Sequence, residues 1–275
     1  MSVIPRYRRV GKGSTLVCHP GGPGFSSAYL GDLGGLSDAF ELVLVDPRGT
    51  GDTPAPEDDS YSIDDYVGDL EQLRRALGLG SLDLLGHSHG GVVALAYAAR
   101  YPDFVRRLVV ANSLARFGEE AQQAMAEGIA KRAKEPWAAD AQAAIAEEEA
   151  GDYSTPEELT ALVKREFPLY FAHYGKRERK WVESMADERL NVDALKQFNS
   201  EIVNTFDLRP ELANITAPTL VLTGAEDFIT GPVCAKEIAA GIDGAWLVVV
   251  EECGHVSFVE QPSRFHAAVQ TLIYS

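Results

Sequence analysis

The sequence predicts an α/β fold: a mostly parallel central sheet flanked by helices, with a helical lid inserted late in the chain. Three observations predict it. From about Leu16, short apolar runs alternate with amphipathic segments, the pattern of parallel strands joined by helical crossovers. Between about Leu114 and Ala217 that alternation stops, and the chain becomes rich in Ala, Glu, Lys and Arg. The length of 275 residues is enough for one large α/β domain carrying an insertion.

Taken in order, residues 16–18 and 42–45 read as buried strands, each ending where polar and glycine residues begin. Before Leu16 there is room only for short strands. Ser62 is placed to cap a helix whose Ile63, Val67, Leu70 and Leu77 fall on one face, and glycines at 78 and 80 close it. Residues 82–85 form the next strand. An Ala- and Val-rich helix follows over 90–101 and stops at Pro102; 107–111 is again a strand. After the insertion, 219–222 and 246–250 complete the strands, and Pro262 opens a final helix towards Ile273. Helical period within the insertion fits 121–133, 138–150, 157–166 and 192–203 best. Its aromatics (Trp137, Tyr153, Tyr170, Phe171, Tyr174, Trp181, Phe198, Phe206) read as the core of a helical lid, with a few facing a cleft. The expected division is a core of residues 1–113 and 215–275 and a lid of 114–214.

Hydrophobic residues make up 45% and charged residues 24% of the chain, an ordinary globular composition. No run approaches the roughly 20 apolar residues that cross a bilayer, and the arginines near the N-terminus precede no apolar stretch of the kind a signal peptide carries. The formal charge is −16, which repels phosphate backbones and anionic lipid, so neither nucleic acid nor membrane is an expected partner. The basic clusters at 6–9 and 176–180 do not reverse this. Cys18, Cys234 and Cys253 form no metal-ligand spacing and cannot all pair, which favours a cytoplasmic setting.

The chemistry concentrates at strand ends. Gly86-His87-Ser88-His89-Gly90 follows an apolar strand and opens a helix, the context in which Gly-x-Ser-x-Gly becomes a nucleophile elbow. The tight turn holds the serine hydroxyl above the sheet edge and puts the next amide, that of His89, at a helix N-terminus. His87 and His89 are expected to pack or to line a pocket, since side chains next to the serine on such a turn point away from it. A serine needs a base to take its proton, and the base needs an acid to fix its tautomer. Asp227 follows the 219–222 strand and is the expected acid, with Glu226 the alternative. His255 follows the 246–250 strand and is the expected base; His266 reads as a surface residue of the last helix. The oxyanion of the transition state requires two amides. His89 supplies one, and Gly22, in His19-Pro20-Gly21-Gly22-Pro23-Gly24, is the expected second donor.

With these residues in place the chain resembles an α/β-hydrolase over essentially its full length. More narrowly, Gly21-Gly22-Pro23-Gly24 resembles the His-Gly-Gly-Pro-Gly motif of the proline iminopeptidase group. Asp46-Pro47-Arg48-Gly49-Thr50-Gly51 resembles that group's Asp-Gln-Arg-Gly-x-Gly turn, read here as a structural turn and ion pair. The sequence departs from the pattern where Pro20 occupies the place of the family histidine, with His19 one position early. The resemblance implies release of an N-terminal residue, often proline, from a short peptide, with no metal and no organic cofactor. It also implies a lid carboxylate for the substrate ammonium. Glu166, in Arg165-Glu166-Phe167-Pro168-Leu169-Tyr170-Phe171, resembles the acidic and aromatic lid segment, which makes Glu166, Tyr170 and Phe171 candidate substrate-binding residues; 147–149 is a second acidic possibility. An esterase or lactonase acting on small esters stands beside this reading, and a ligand-binding protein with little turnover is a more distant one.

Overall fold

The computed structural model describes residues 3–274. Seven strands form one sheet in the order β1-β3-β2-β4-β5-β6-β7. They are β1 (Arg6–Gly11), β2 (Ser14–His19), β3 (Phe40–Asp46), β4 (Leu82–His87), β5 (Val105–Ala111), β6 (Thr219–Gly224) and β7 (Trp246–Val250). Only β1 runs antiparallel, against β3; the others are parallel. The six strands expected from apolar runs are all present. β1 is an addition, and it does not form a hairpin with β2, because both pair with β3. Its residues are largely exposed, as suits a charged edge strand.

Side chains alternate across the sheet as the pleat requires. Val17, Val43, Leu84, Leu108, Val110 and Val221 point to one face. There they meet α1 (Ile63–Ala76), α2 (His89–Arg100) and α8 (Pro232–Gly241). Leu16, Leu42, Leu44, Leu85, Val109, Leu220 and Leu222 point to the other, where Phe265 and Val269 of the last helix (Pro262–Tyr274) cover them. Both faces of the sheet are therefore buried, which is why its strands read as continuous apolar runs. Ser62 caps α1 by accepting from the Asp65 amide at 3.2 Å.

Between β5 and β6 the chain forms α3 (Glu119–Lys131), α4 (Ala138–Ala150), α5 (Pro156–Glu166), α6 (Lys176–Ser184) and α7 (Val192–Gln197), with no strand among them. The helix expected over 192–203 divides: α7 stops at Gln197 and a π-helical turn occupies Phe198–Ile202. α6 falls on the basic cluster at 176–180. The closing turn Arg209–Asn214 returns to the sheet and packs on α2 and α8.

Arg48 is fully buried, but its ion-pair partner is not Asp46. Its guanidinium donates twice to Asp69, at 2.7 Å each, and once to the Ser60 carbonyl at 2.6 Å. Asp46 instead accepts the Ser27 amide at 2.8 Å, so it ties the turn to the loop after β2.

Candidate active site

The C-terminal ends of β2, β4, β5, β6 and β7 meet at one sheet edge. At the end of β4, Ser88 sits at φ 56°, ψ −124°, with α2 starting at the next residue. A non-glycine residue at positive φ costs roughly 1–3 kcal/mol and persists only where its surroundings hold it. Here the Ser88 amide donates to the Ala111 carbonyl at 3.0 Å, and its carbonyl accepts from the Gly91 amide at 2.8 Å and the Ser113 hydroxyl at 2.7 Å. The flanking glycines are obligatory by contact. A Cβ on Gly86 would lie 2.2 Å from the Gly90 carbonyl oxygen, and one on Gly90 would lie 2.3 Å from that of His19. Ser88 is half-buried, between His87 and His89, which are buried.

Asp227 and His255 come together at this edge: His255 Nδ1 lies 3.0 Å from Asp227 Oδ2. The aspartate is saturated with donors. Its Oδ1 accepts the Ile229 and Thr230 amides at 3.1 Å each, and its Oδ2 accepts the Thr230 hydroxyl at 2.8 Å and the Asn112 side-chain amide at 3.0 Å. Burial alone would raise its pKa, but His255, Asn112 and the Thr230 amide outweigh burial and hold the carboxyl below the usual range. Glu226, the alternative acid, has an exposed side chain. The loop bearing His255 is fixed by its amide, donating to the Tyr170 carbonyl at 2.6 Å, and by the Glu260 carboxylate, which accepts the Gly254 amide at 2.7 Å. The second oxygen of Glu260 accepts the Ala172 amide at 2.7 Å, so one side chain joins the histidine loop to the inserted segment.

The loop after β2 runs beside the elbow, since a Cβ on Gly21 would lie 2.7 Å from Ser88 Cβ. The Gly21 amide is committed to the Tyr29 hydroxyl at 2.6 Å, and Gly22 follows it at φ 112° on the cavity wall.

Ser88 and His255 open onto a cavity of about 700 Å³ whose lining also includes Gly22, His89, Glu166 and Tyr170. The rest of the wall is largely aliphatic and aromatic, with Met125, Ile129, Ile145, Phe167, Phe198 and Phe228 prominent. The Tyr170 ring stands edge-on to His255 at 5.4 Å between centroids. Phe171 does not line the cavity. The 3-10 turn Phe167–Tyr170 ends there and Phe171 itself is extended, and its ring packs against Tyr174 and Trp181 instead.

The acidic run divides by position on its helix. Glu147 pairs outward with Arg165 at 2.8 Å, whereas Glu148 turns to the cavity and accepts from Asn199 at 3.1 Å. Glu166 is buried, and its Oε1 has no hydrogen-bond partner. Burial and the neighbouring Glu148 push Glu166 up to about 10, and burial also raises Glu148. The three cysteines are free and buried, and burial pushes their thiols up. Among the described residues no group of three or more His, Cys, Asp or Glu is arranged to hold a metal ion, and no helix is long and apolar enough to cross a membrane.

Sequence reasoning missed Asn112, Thr230, Tyr29 and Glu260. A strand-end signal could have found Asn112, which follows β5 as Ser88 follows β4. Thr230 lies three residues beyond Asp227. Tyr29 and Glu260 act across the fold, and nothing local marks them.

A model of the alpha/beta hydrolase fold matches residues 14–262. The chain belongs to this family, and it is a hydrolase. A proline iminopeptidase from Saccharolobus solfataricus is 30% identical, over 97% of this chain and 87% of that one. Among solved structures, an α/β fold family hydrolase from Bacillus anthracis superposes with a TM-score of 0.79 at 22% identity, covering 98% of this chain and 95% of that one. An enol-lactonase from Burkholderia xenovorans LB400 superposes with a TM-score of 0.73 at 25% identity, covering 98% and 96%. Within its family the chain thus resembles proline iminopeptidase in sequence, while its structural neighbours include a lactonase.

Proposed function

We propose that the protein removes an N-terminal residue, proline included, from small peptides through an acyl-enzyme on Ser88. Ser88 Oγ attacks the scissile carbonyl as His255 takes its proton. Asp227 holds His255 with Nδ1 protonated and stabilises the imidazolium, leaving Nε2 to face the serine. A hydrogen bond from the hydroxyl to the imidazole forms as substrate binds. The amides of Gly22 and His89 receive the oxyanion; the Gly21 amide is given to the Tyr29 hydroxyl, which leaves Gly22 rather than Gly21 for this role. His255 then passes the proton to the departing amine, and water releases the acyl group by the same steps reversed. Residues 114–214 serve as the lid that roofs this site.

The observation that carries the peptidase reading is the Glu148–Glu166 pair in the cavity that holds Ser88. Two neighbouring carboxyls, Glu148 half-buried and Glu166 buried with an oxygen lacking a donor, form an incomplete site that an ammonium completes. The apolar wall and the lactonase neighbour favour a second reading, hydrolysis of small esters or lactones.

The test is a matched panel run with wild type and Ser88→Ala: a proline arylamide with a free amine, its N-acetyl counterpart and a short-chain aryl ester. Turnover of the free-amine arylamide, stopped by acetylation and by Ser88→Ala, is the expected result. Cleavage of the ester alone would move the assignment to esters and lactones.

A further inference from the structure

His87 is buried beside the proposed nucleophile, and its two ring nitrogens have different partners. Nε2 lies 2.9 Å from the His255 carbonyl oxygen, and Nδ1 lies 2.7 Å from the Tyr29 hydroxyl. The Tyr29 hydroxyl in turn accepts the Gly21 amide at 2.6 Å. Proton placement along this chain has one solution. A carbonyl only accepts, so Nε2 carries the hydrogen; Nδ1 of the neutral ring then accepts from the tyrosine O–H, whose oxygen takes the Gly21 N–H. Burial, and the nearby His255, lower His87 to about 3, so the neutral ring this solution requires is the form present at neutral pH.

We infer that His87 and Tyr29 form a positioning relay that sets the oxyanion loop and the base loop in register with one another. The relay joins the segment after β2, the end of β4 and the loop after β7, and His87 is continuous with Ser88. It is braced on the outside as well: the Trp181 indole of α6 donates to the Tyr29 carbonyl at 3.1 Å, and the Tyr29 ring packs on Phe25 and Phe258. Breaking any link leaves a buried donor or acceptor unpaired and frees the Gly21–Gly22 backbone to shift. A displacement of about 1 Å in a catalytic group is enough to lower a rate about a hundredfold.

This inference rests on Ser88 as nucleophile and His255 as base, and the experiment separates the two. The readout is phosphonylation by a fluorophosphonate, which needs the nucleophile, the base and the oxyanion amides but no knowledge of the natural substrate. Ser88→Ala tests the triad; Tyr29→Phe, His87→Gln and the double variant test the relay. Tyr29→Phe keeps the ring packing, and thermal melts confirm that each variant is folded. The expected result is no labelling of Ser88→Ala. Each single relay variant should show a maximal inactivation rate about ten- to a hundredfold lower with unchanged half-saturation, and the double variant should be no slower than the slower single. Labelling of Tyr29→Phe at the wild-type rate, losses that multiply in the double variant, or a change confined to half-saturation would overturn the relay while leaving the triad standing. Labelling of Ser88→Ala would overturn the triad itself.

Discussion

The strand-end loops and the inserted helices treat buried carboxylates in opposite ways. Asp227 has four hydrogen-bond donors besides the His255 imidazole and is held ionised. Glu166 is equally buried, has an oxygen with no donor, and is pushed up to about 10. One is finished by the protein; the other, on the proposed reading, is completed by the substrate ammonium. The contrast separates machinery that must be preorganised before substrate arrives from recognition groups that gain their partners only on binding.

The largest effect should come from disturbing the finished side. Asp227→Asn preserves shape but favours the wrong imidazole tautomer, and kcat on any cleaved substrate should fall about 10³–10⁴-fold. A loss under tenfold would mean that the Asp227–His255 contact is not part of turnover. A buried ion pair remote from the reaction should behave differently: Asp69→Asn leaves Arg48 short of its main counter-charge and should cost about 3 kcal/mol in denaturant unfolding, with kcat unchanged. A matching fall in kcat would tie the Arg48 turn to chemistry. Asn112→Ala should show both effects at smaller size. It removes one of the donors to Asp227 Oδ2 and the Asn112 partner of the Gly254 carbonyl and the Ser257 hydroxyl, and should cost about 1–3 kcal/mol of stability together with about tenfold in kcat.

The unfinished side should reveal itself through pH. A carboxyl whose folded pKa is raised holds a proton that the unfolded chain releases above about 4.5. Stability therefore declines as pH rises from there towards the folded value, by at most about 1.4 kcal/mol per pH unit. Glu166→Gln should remove this slope, melting above wild type at pH 8 and converging with it near pH 5. Parallel melting curves would show that Glu166 is ionised and solvated.

The same division governs what the sequence made legible. Ser88, Asp227 and His255 were legible as candidates because each follows an apolar strand, and strand ends of a parallel sheet converge on one edge. β1 was legible only as room for a short strand before Leu16, because its Arg6, Tyr7, Arg8 and Arg9 carry no apolar period; its pairing is written in backbone bonds to β3. α6 escaped because its charged face hides a shorter apolar one, and the π-turn at Phe198–Ile202 because side-chain period does not distinguish it from α-helix. Glu148 was legible only as part of an acidic run, since which of three adjacent glutamates reach the cavity, here Glu148 and Glu149, depends on how α4 docks. Tyr29 and His87 illustrate the remaining gap. Their hydrogen bond joins residues 58 apart in sequence, and only the folded sheet brings them together.

The most direct measurement compares wild type with the Glu148→Gln/Glu166→Gln double variant on two substrates, a free-amine proline arylamide and a short-chain aryl ester. If the lid carboxyls recognise an ammonium and the strand-end loops do the chemistry, kcat/KM for the arylamide should fall at least about a hundredfold. Ester hydrolysis should stay within about threefold of wild type. Equal losses on both substrates, or an arylamide rate that survives the double substitution, would contradict that separation.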